Sequence, residues 1–216
     1  MNRDEMFVVL ADERVAFADL LEGLTPAQLA SPSLCAGWTV KHVAAHVTTL
    51  FNVTMPQMAV RIGRNKFNFD KAVRQLTNEL AQRPIEHIVT DLRSHATSRK
   101  HPPTAVMAPL TDLIVHGEDV RRPLGLAHQV PHDAISLAMG FVTSGSAKGF
   151  VPGSRIRGLR FQATDDERAW GKGQLIHGPA ISLLMGVMGR RPALKELGGA
   201  VQVLDDRLTG KVPRIQ

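Results

Sequence analysis

The stretch DLIVHGEDVRRPLG, residues 112–125, sets an aspartate and a histidine four positions apart inside an otherwise apolar run. Side chains at i and i+4 share one face of a helix, so Asp112 and His116 converge on a single point where a plain core helix would place leucines. The run begins near Pro109, a residue suited to a first helical turn, and Gly125 is suited to end it, so a helix is expected over 109–124.

Working outward, the same period recurs upstream. Phe7, Leu10, Val15, Phe17, Leu20 and Leu21 predict a helix over 4–23, stopped by Gly23. Thr39 is a good N-cap for a helix with Val43, Val47, Leu50 and Thr54 on one face, kinked or ended by Pro56. Residues 69–82 and 85–98 read as two further helices split at Pro84, and another is expected from Pro131 to about Gly145. The first 149 residues therefore read as a helical bundle.

Near Gly149 the texture changes. Leu159, Phe161 and Ala163 alternate with Arg160, Gln162 and Thr164, which is strand spacing, and RAWGKGQLIHG is a second candidate strand. Gly178 and Pro179 open a helix AISLLMGVMG, and RPALKELGG with QVLDDRL read as helical pieces. The expected fold is α+β, mainly α: a bundle over 1–149 followed by a small α/β domain over 150–216, too small to be relied on to fold alone. No internal repeat or low-complexity tract interrupts this plan.

Composition narrows the functional classes. The 216-residue chain is 44% hydrophobic and 21% charged, ordinary for a soluble globular protein. Charges punctuate its first twenty residues, which is incompatible with a signal-peptide core, and no run reaches the length of a membrane span. One cysteine, Cys35, excludes an intramolecular disulfide and fits a reducing cytoplasm. The net charge of +6 raises nucleic acid as a partner, but the basic residues are scattered, with no recognition motif and no tyrosine. A basic, arginine-rich surface is the preferred account.

A carboxylate and an imidazole on one face suit zinc or another first-row divalent ion, and a catalytic zinc takes three protein ligands with one position open. A facing helix can provide the third, and His46 lies at the edge of the inward face of the second helix. His42, one turn earlier, is a competing donor. The alternative is that each histidine is hydrogen-bonded in the core and that Asp112 merely orients a ring. Asp119 reads equally as a carboxylate behind a metal-bound imidazole or as a surface partner of Arg122. Cys35 reads as a packed thiol, Trp38 as an anchor for the entry loop, His177 as a surface residue, and the methionines as core filler.

The ordered set LTPAQLASPSLCAGWTVKHVAAHV, DLIVHGEDVRRPLG, GLRFQATD and GPAISLLMGVMGR resembles the mycothiol-dependent maleylpyruvate isomerase family of actinobacteria over nearly the whole chain. The resemblance implies a DinB-like, four-helix metal-binding bundle with a small C-terminal domain. In that family a His from a Trp-x-Val-x-x-x-x-x-His segment and an acid-x-x-x-His pair hold a divalent metal, typically zinc. Carried over, these are His46, Asp112 and His116. Two departures stand out: the acid is usually Glu, one methylene longer than Asp112, and position 42 is commonly acidic. The resemblance further implies mycothiol as thiol cosubstrate, activated at the metal for addition to an electrophile and cis–trans isomerisation, with an arginine for substrate carboxylates. Arg190 is the candidate and Arg207 the second choice, although a cation at the end of a helix also accounts for Arg190. The alternatives are a mycothiol S-transferase and a non-catalytic metal-binding or regulatory protein on the same fold. The expected partners are a small-molecule substrate and a low-molecular-weight thiol, with no membrane and no nucleic acid, in a monomer or a homodimer.

Overall fold

The structure is a computed structural model that describes residues 1–102, 105–145, 147 and 150–210. It is mainly α with a small four-stranded sheet, the class expected from the sequence. The helices in chain order are α1 (Arg3–Glu22), α2 (Pro26–Ala30), α3 (Val40–Val47), α4 (Thr49–Asn52), α5 (Met55–Arg64), α6 (Phe69–Ala81), α7 (Ile85–Ser94), α8 (Ala108–Arg121), α9 (His132–Thr143), α10 (Gly153–Ile156), α11 (Ala180–Val187) and α12 (Val201–Leu208). The strands are β1 (Leu159–Ala163), β2 (Ala169–Gly171), β3 (Gln174–Gly178) and β4 (Gly198–Gly199). Among the described residues no helix is long and apolar enough to cross a membrane.

The chain forms two compact units. One comprises Asn2–His101 and Asp112–His128; the other comprises Met1, Pro102–Thr111 and Gln129–Gln216. This division differs from the boundary at 149–150 read from the sequence. The α9 helix groups with the sheet-containing unit because it packs on α11 and β2. A buried face on α9 is legible in its residues, but which neighbour covers that face is not.

In the helical unit, α1 begins at a capping box, with Asn2 and Glu5 each accepting from the other's backbone N–H, and it buries Met6, Phe7, Leu10, Phe17 and Leu21 against α7. Arg14, also buried, donates to the carbonyls of His95, Ala96 and Ser98 and ties down the chain leaving α7. Thr39 caps α3 by accepting from the His42 N–H, as its residue type suggested, and α3 packs on α6. Pro56 starts a helix here: Thr54 caps α5 with Gln57 in a second capping box, and proline sits in the first turn, where its missing N–H costs nothing. The α8 helix stops at Arg121, three residues earlier than expected, because Arg122 precedes Pro123 and is disfavoured in helical conformation. Leu126 N–H then donates back to the Arg121 carbonyl around Gly125, which has φ +67.

In the second unit the sheet order is β2-β1-β3-β4, with β1 and β3 parallel and the outer pairs antiparallel. Leu159, Phe161 and Ala163 of β1 are buried, on the face expected from their alternation. The stretch expected as one strand, 168–178, is two, broken where Gly171 and Gly173 adopt φ +76 and +129. Gly198 and Gly199, expected within a helical piece, pair with β3 as an edge strand. The α11 helix is apolar almost all round and packs on β1, β3, α9 and a 3-10 helix at Arg191–Glu196.

Candidate metal centre

Three side chains of the helical unit meet at one point. His46 from the last turn of α3, and Asp112 and His116 from α8, bring one ligand atom each to within 4.8 Å of one another. The Asp112 carboxylate lies 3.4 Å from His116 Nε2 and 3.7 Å from His46 Nε2. In a tetrahedral zinc site with bonds near 2.05 Å, neighbouring ligand atoms are separated by roughly 3.3–3.4 Å, so the two carboxylate–imidazole separations stand close to the spacing such an ion needs. The shorter aspartate reaches both rings because it shares a helix with His116.

Each imidazole turns its other nitrogen toward a hydrogen-bonding side chain. His116 Nδ1 is 2.9 Å from Asp119 Oδ2, and Asp119 is fully buried. His46 Nδ1 is 3.3 Å from the hydroxyl of Thr77, a buried residue of α6. Such partners fix ring orientation and leave Nε2 facing the carboxylate. Of the two roles open to Asp119, the geometry displays contact with His116, while Arg122 pairs with Glu118 at 2.7 Å. Burial opposes a charge on His116, but Asp112 and Asp119 outweigh it and push its pKa up to about 9. With no ion bound, a proton on His116 therefore serves as the cation between the two carboxylates.

Trp38 roofs the cluster. Its ring centroid is 4.9 Å from that of His46 and 6.3 Å from that of His116, and the two imidazoles meet edge to face at 4.7 Å. The indole N–H is buried without an acceptor among the described residues. Asp112, with about a third of its side chain exposed, is the most accessible member of the three.

The remaining candidates fall elsewhere. His42 directs Nδ1 to the Thr39 hydroxyl at 2.8 Å and is not part of the three-residue group. Cys35 lies half-buried in the loop before Trp38. In the other unit, Arg190 donates to the Met188 carbonyl at 2.8 Å, beside Arg155, which donates to the Val187 carbonyl; both guanidiniums sit at the C-terminus of α11. Arg207 donates to the carbonyls of Arg155 and Arg157. His177 is exposed on β3, with its ring over Gly198. A cleft of about 560 Å³ in the helical unit, lined by Asn52, Arg61, Arg64, Gln75 and Glu79 among others, includes none of the three candidate ligands. Sequence reasoning missed Thr77, whose hydroxyl carries no spacing signal, and Arg74, whose guanidinium carbon lies 5.8 Å from the Trp38 ring centroid.

Fold and site together define a helical-bundle protein with a His-Asp-His cluster of metal-binding type. Residues 10–100 match the family model of the mycothiol maleylpyruvate isomerase N-terminal domain. The match includes Trp38 and His46 and ends before Asp112. Two crystal structures of a mycothiol-dependent maleylpyruvate isomerase share the fold, one of them a histidine-to-alanine mutant. The first aligns with TM-score 0.55 and the mutant with 0.53, each at 14% identity over 99% of this chain and 95% of the other. No curated protein matches the sequence.

Proposed function

We propose that His46, Asp112 and His116 hold a divalent metal, zinc by the chemistry of the donors, in a mycothiol-using enzyme of the maleylpyruvate isomerase type. The observation that carries the reading is the convergence of two imidazoles and one carboxylate, the carboxylate 3.4 and 3.7 Å from the two Nε2 atoms, with both Nδ1 atoms occupied from behind. Two imidazoles and one carboxylate are a common catalytic zinc donor set, and three protein ligands leave a position for an exogenous group. A divalent metal held there supplies a Lewis acid that lowers the pKa of a bound thiol.

The chain's own residues do the rest. Asp119 and Thr77 hold the imidazoles with Nε2 facing the site, and Asp112 supplies a full negative charge that offsets the dication. Trp38 covers the rings and keeps water from one side of them. Arg190 stays in the proposal as the group for a substrate carboxylate on the strength of the family likeness, and its guanidinium is suited to bidentate contact. The reaction is addition of a thiol to a conjugated double bond, rotation about the resulting single bond, and elimination. The partners are thus a small electrophile and a low-molecular-weight thiol, and a reducing cytoplasm suits both.

Elemental analysis of the purified protein with its His46→Ala and His116→Ala variants tests the ligands. About one zinc per chain, lost in both variants with helix content retained, is expected; full metal retention in both variants would refute the assignment. Incubating the zinc protein with mycothiol and maleylpyruvate then tests the chemistry. Isomerised product with thiol regenerated is expected, whereas a persistent thioether adduct would assign an S-transferase instead. Arg190→Gln should lower kcat/KM with metal content unchanged.

A further inference from the structure

We propose that α5 and the turn after it form a peripheral membrane-docking surface, one that lies in the headgroup layer of a bilayer rich in anionic phospholipid. The proposal is independent of the metal reading and stands or falls apart from it. It starts from a helix that is inside out. Met55, Pro56, Ala59, Val60 and Gly63 recur at the spacing of one helical face, and that whole face is exposed. The other edge is polar: Gln57, Arg61 and Arg64 line the cleft toward α6, where Arg61 donates twice to the Glu79 carboxylate, at 2.9 and 2.7 Å. The charged edge thus faces the protein while the apolar face meets water, and no residue of α5 is buried.

The turn extends this surface. Met55 is 64% exposed, Val60 52%, Phe67 85% and Phe69 57%, so four of the nine large apolar side chains exposed among the described residues fall in this one short segment. Lys66 and Phe67 adopt φ +55 and +61, the left-handed region that L-residues avoid, and among the described residues no other non-glycine does so. Backbone bonds hold them there: Phe67 N–H donates to the Ile62 carbonyl and Lys66 N–H to that of Gly63, and Asn68 then caps α6. A phenylalanine fixed outward in a strained turn contributes nothing to the core, and strain of this kind marks a functional surface.

Three features select a bilayer as the occupant. Arg64, Lys66 and Lys71 are exposed, hold no carboxylate among the described residues, and outnumber the one acid beside them, Asp70. Cations around an apolar patch complement anionic headgroups, whereas a second copy docked by the same face about a two-fold axis would bring those like charges together. Next, the surface is the outer flank of a helix with a projecting phenyl ring, which acyl chains accommodate without the matching pocket a folded partner must supply. Finally, the backbone suits a layer of low polarity. Thr54 and Gln57 close the start of α5 as a capping box, and the N–H groups of residues 65–68 all find carbonyls within the segment. The helix would lie along the surface without crossing it, so the expectation of no membrane partner, drawn from the lack of a spanning run, is narrowed to spanning alone.

The test sediments the full chain with vesicles of phosphatidylcholine alone and of phosphatidylcholine with equimolar phosphatidylglycerol, at low and high salt. Binding to the anionic vesicles at low salt, weakened by added salt, is expected. Phe67→Asn, a residue that suits the left-handed position, should weaken that partition about tenfold or more. Arg64→Gln combined with Lys66→Gln should weaken it roughly twentyfold. Val8→Ser, which removes an equally exposed apolar side chain from α1, should change nothing. Circular dichroism checks that each variant is folded. Absence of binding to anionic vesicles at low salt would overturn the proposal, as would binding that Phe67→Asn leaves unchanged, the mark of charge attraction without insertion. A dimer in vesicle-free solution that Phe67→Asn dissociates, read by analytical ultracentrifugation, would assign the face to a second copy and overturn it equally.

Discussion

Asp119→Asn separates the two contributions of the carboxylate behind His116. Asp119 is fully buried, its Oδ2 is 2.9 Å from His116 Nδ1, and its backbone carbonyl accepts from Leu34 N–H, so the residue is held in place independently of its charge. Asparagine is isosteric, and its amide oxygen can still accept from Nδ1–H; the substitution therefore removes the negative charge and keeps the ring orientation. Losses from changing such partners run to about 10–100-fold in metal affinity, or roughly 1.4–2.7 kcal/mol. A proton complicates the reading at neutral pH. With the His116 pKa raised to about 9, metal binding at pH 7 must displace that proton, which weakens apparent affinity roughly a hundredfold. Asp119 is one cause of the raised pKa, so the asparagine variant binds this proton less tightly and recovers part of the loss at pH 7. The deficit should thus be larger at pH 9 than at pH 7. Zinc affinity of the wild type and the variant, measured by chelator competition at both pH values with far-UV circular dichroism as a check on folding, reads it directly. Equal affinities at pH 9 would refute the reasoning that the carboxylate strengthens His116 as a ligand.

Three further outcomes follow from the same structure. Because the folded-state pKa of His116 lies above its unfolded value, its contribution to metal-free stability, on the order of 3 kcal/mol, is complete below pH 6.5 and lost as pH rises through about 9; Tm of the metal-free protein should fall over that window, and a flat profile would contradict the assigned carboxylate partners. Gly173→Ala would place a Cβ 2.0 Å from the Gly158 carbonyl oxygen at φ +129, so denaturant melts should show a loss of roughly 2–4 kcal/mol, and unchanged stability would mean the turn between β2 and β3 is wrongly described. Arg14→Ala strips the buried donor from the carbonyls of His95, Ala96 and Ser98 and should cost about 2–4 kcal/mol in the same assay, whereas a neutral result would show that those carbonyls find other partners.

What was legible in the sequence depended on whether the information was local. Thr39 and Gly23 marked helix ends correctly because capping depends on a few adjacent residues. Asp112 and His116 could be paired because one helix carries both. Pro56, expected to kink or end the second helix, instead lies in the first turn of α5, because Thr54 and Gln57 around it form the cap of a new helix. The strand break at Gly171 and Gly173 and the pairing of Gly198 and Gly199 depend on backbone angles that glycine permits without announcing. Thr77 and Arg74 were out of reach for a different reason. A threonine or an arginine on an amphipathic helix looks like any other surface or lining residue until a second helix brings a histidine or a tryptophan against it.

The site's construction explains why so little sequence was needed to suggest it. Asp112, His116 and Asp119 occupy positions i, i+4 and i+7 on α8, so one helical stripe holds a carboxylate ligand, an imidazole ligand and the anion behind that imidazole. Their mutual geometry is set by helix pitch and survives small shifts in packing. Only His46 must be delivered by another helix, and its placement relies on the contact of α3 with α6, where Thr77 sits. The two halves of the site should therefore respond differently to loosening of the bundle. A core change on α6, the helix that packs on α3, such as Leu76→Ala next to Thr77, should weaken metal binding through His46, leaving the Asp112–His116–Asp119 stripe and its raised pKa in place. Following the His116 imidazole resonances by NMR as pH is raised in that variant would show the titration still centred near pH 9 while zinc affinity has fallen. A pKa that collapsed together with the affinity would mean that α8 does not hold its half of the site by itself.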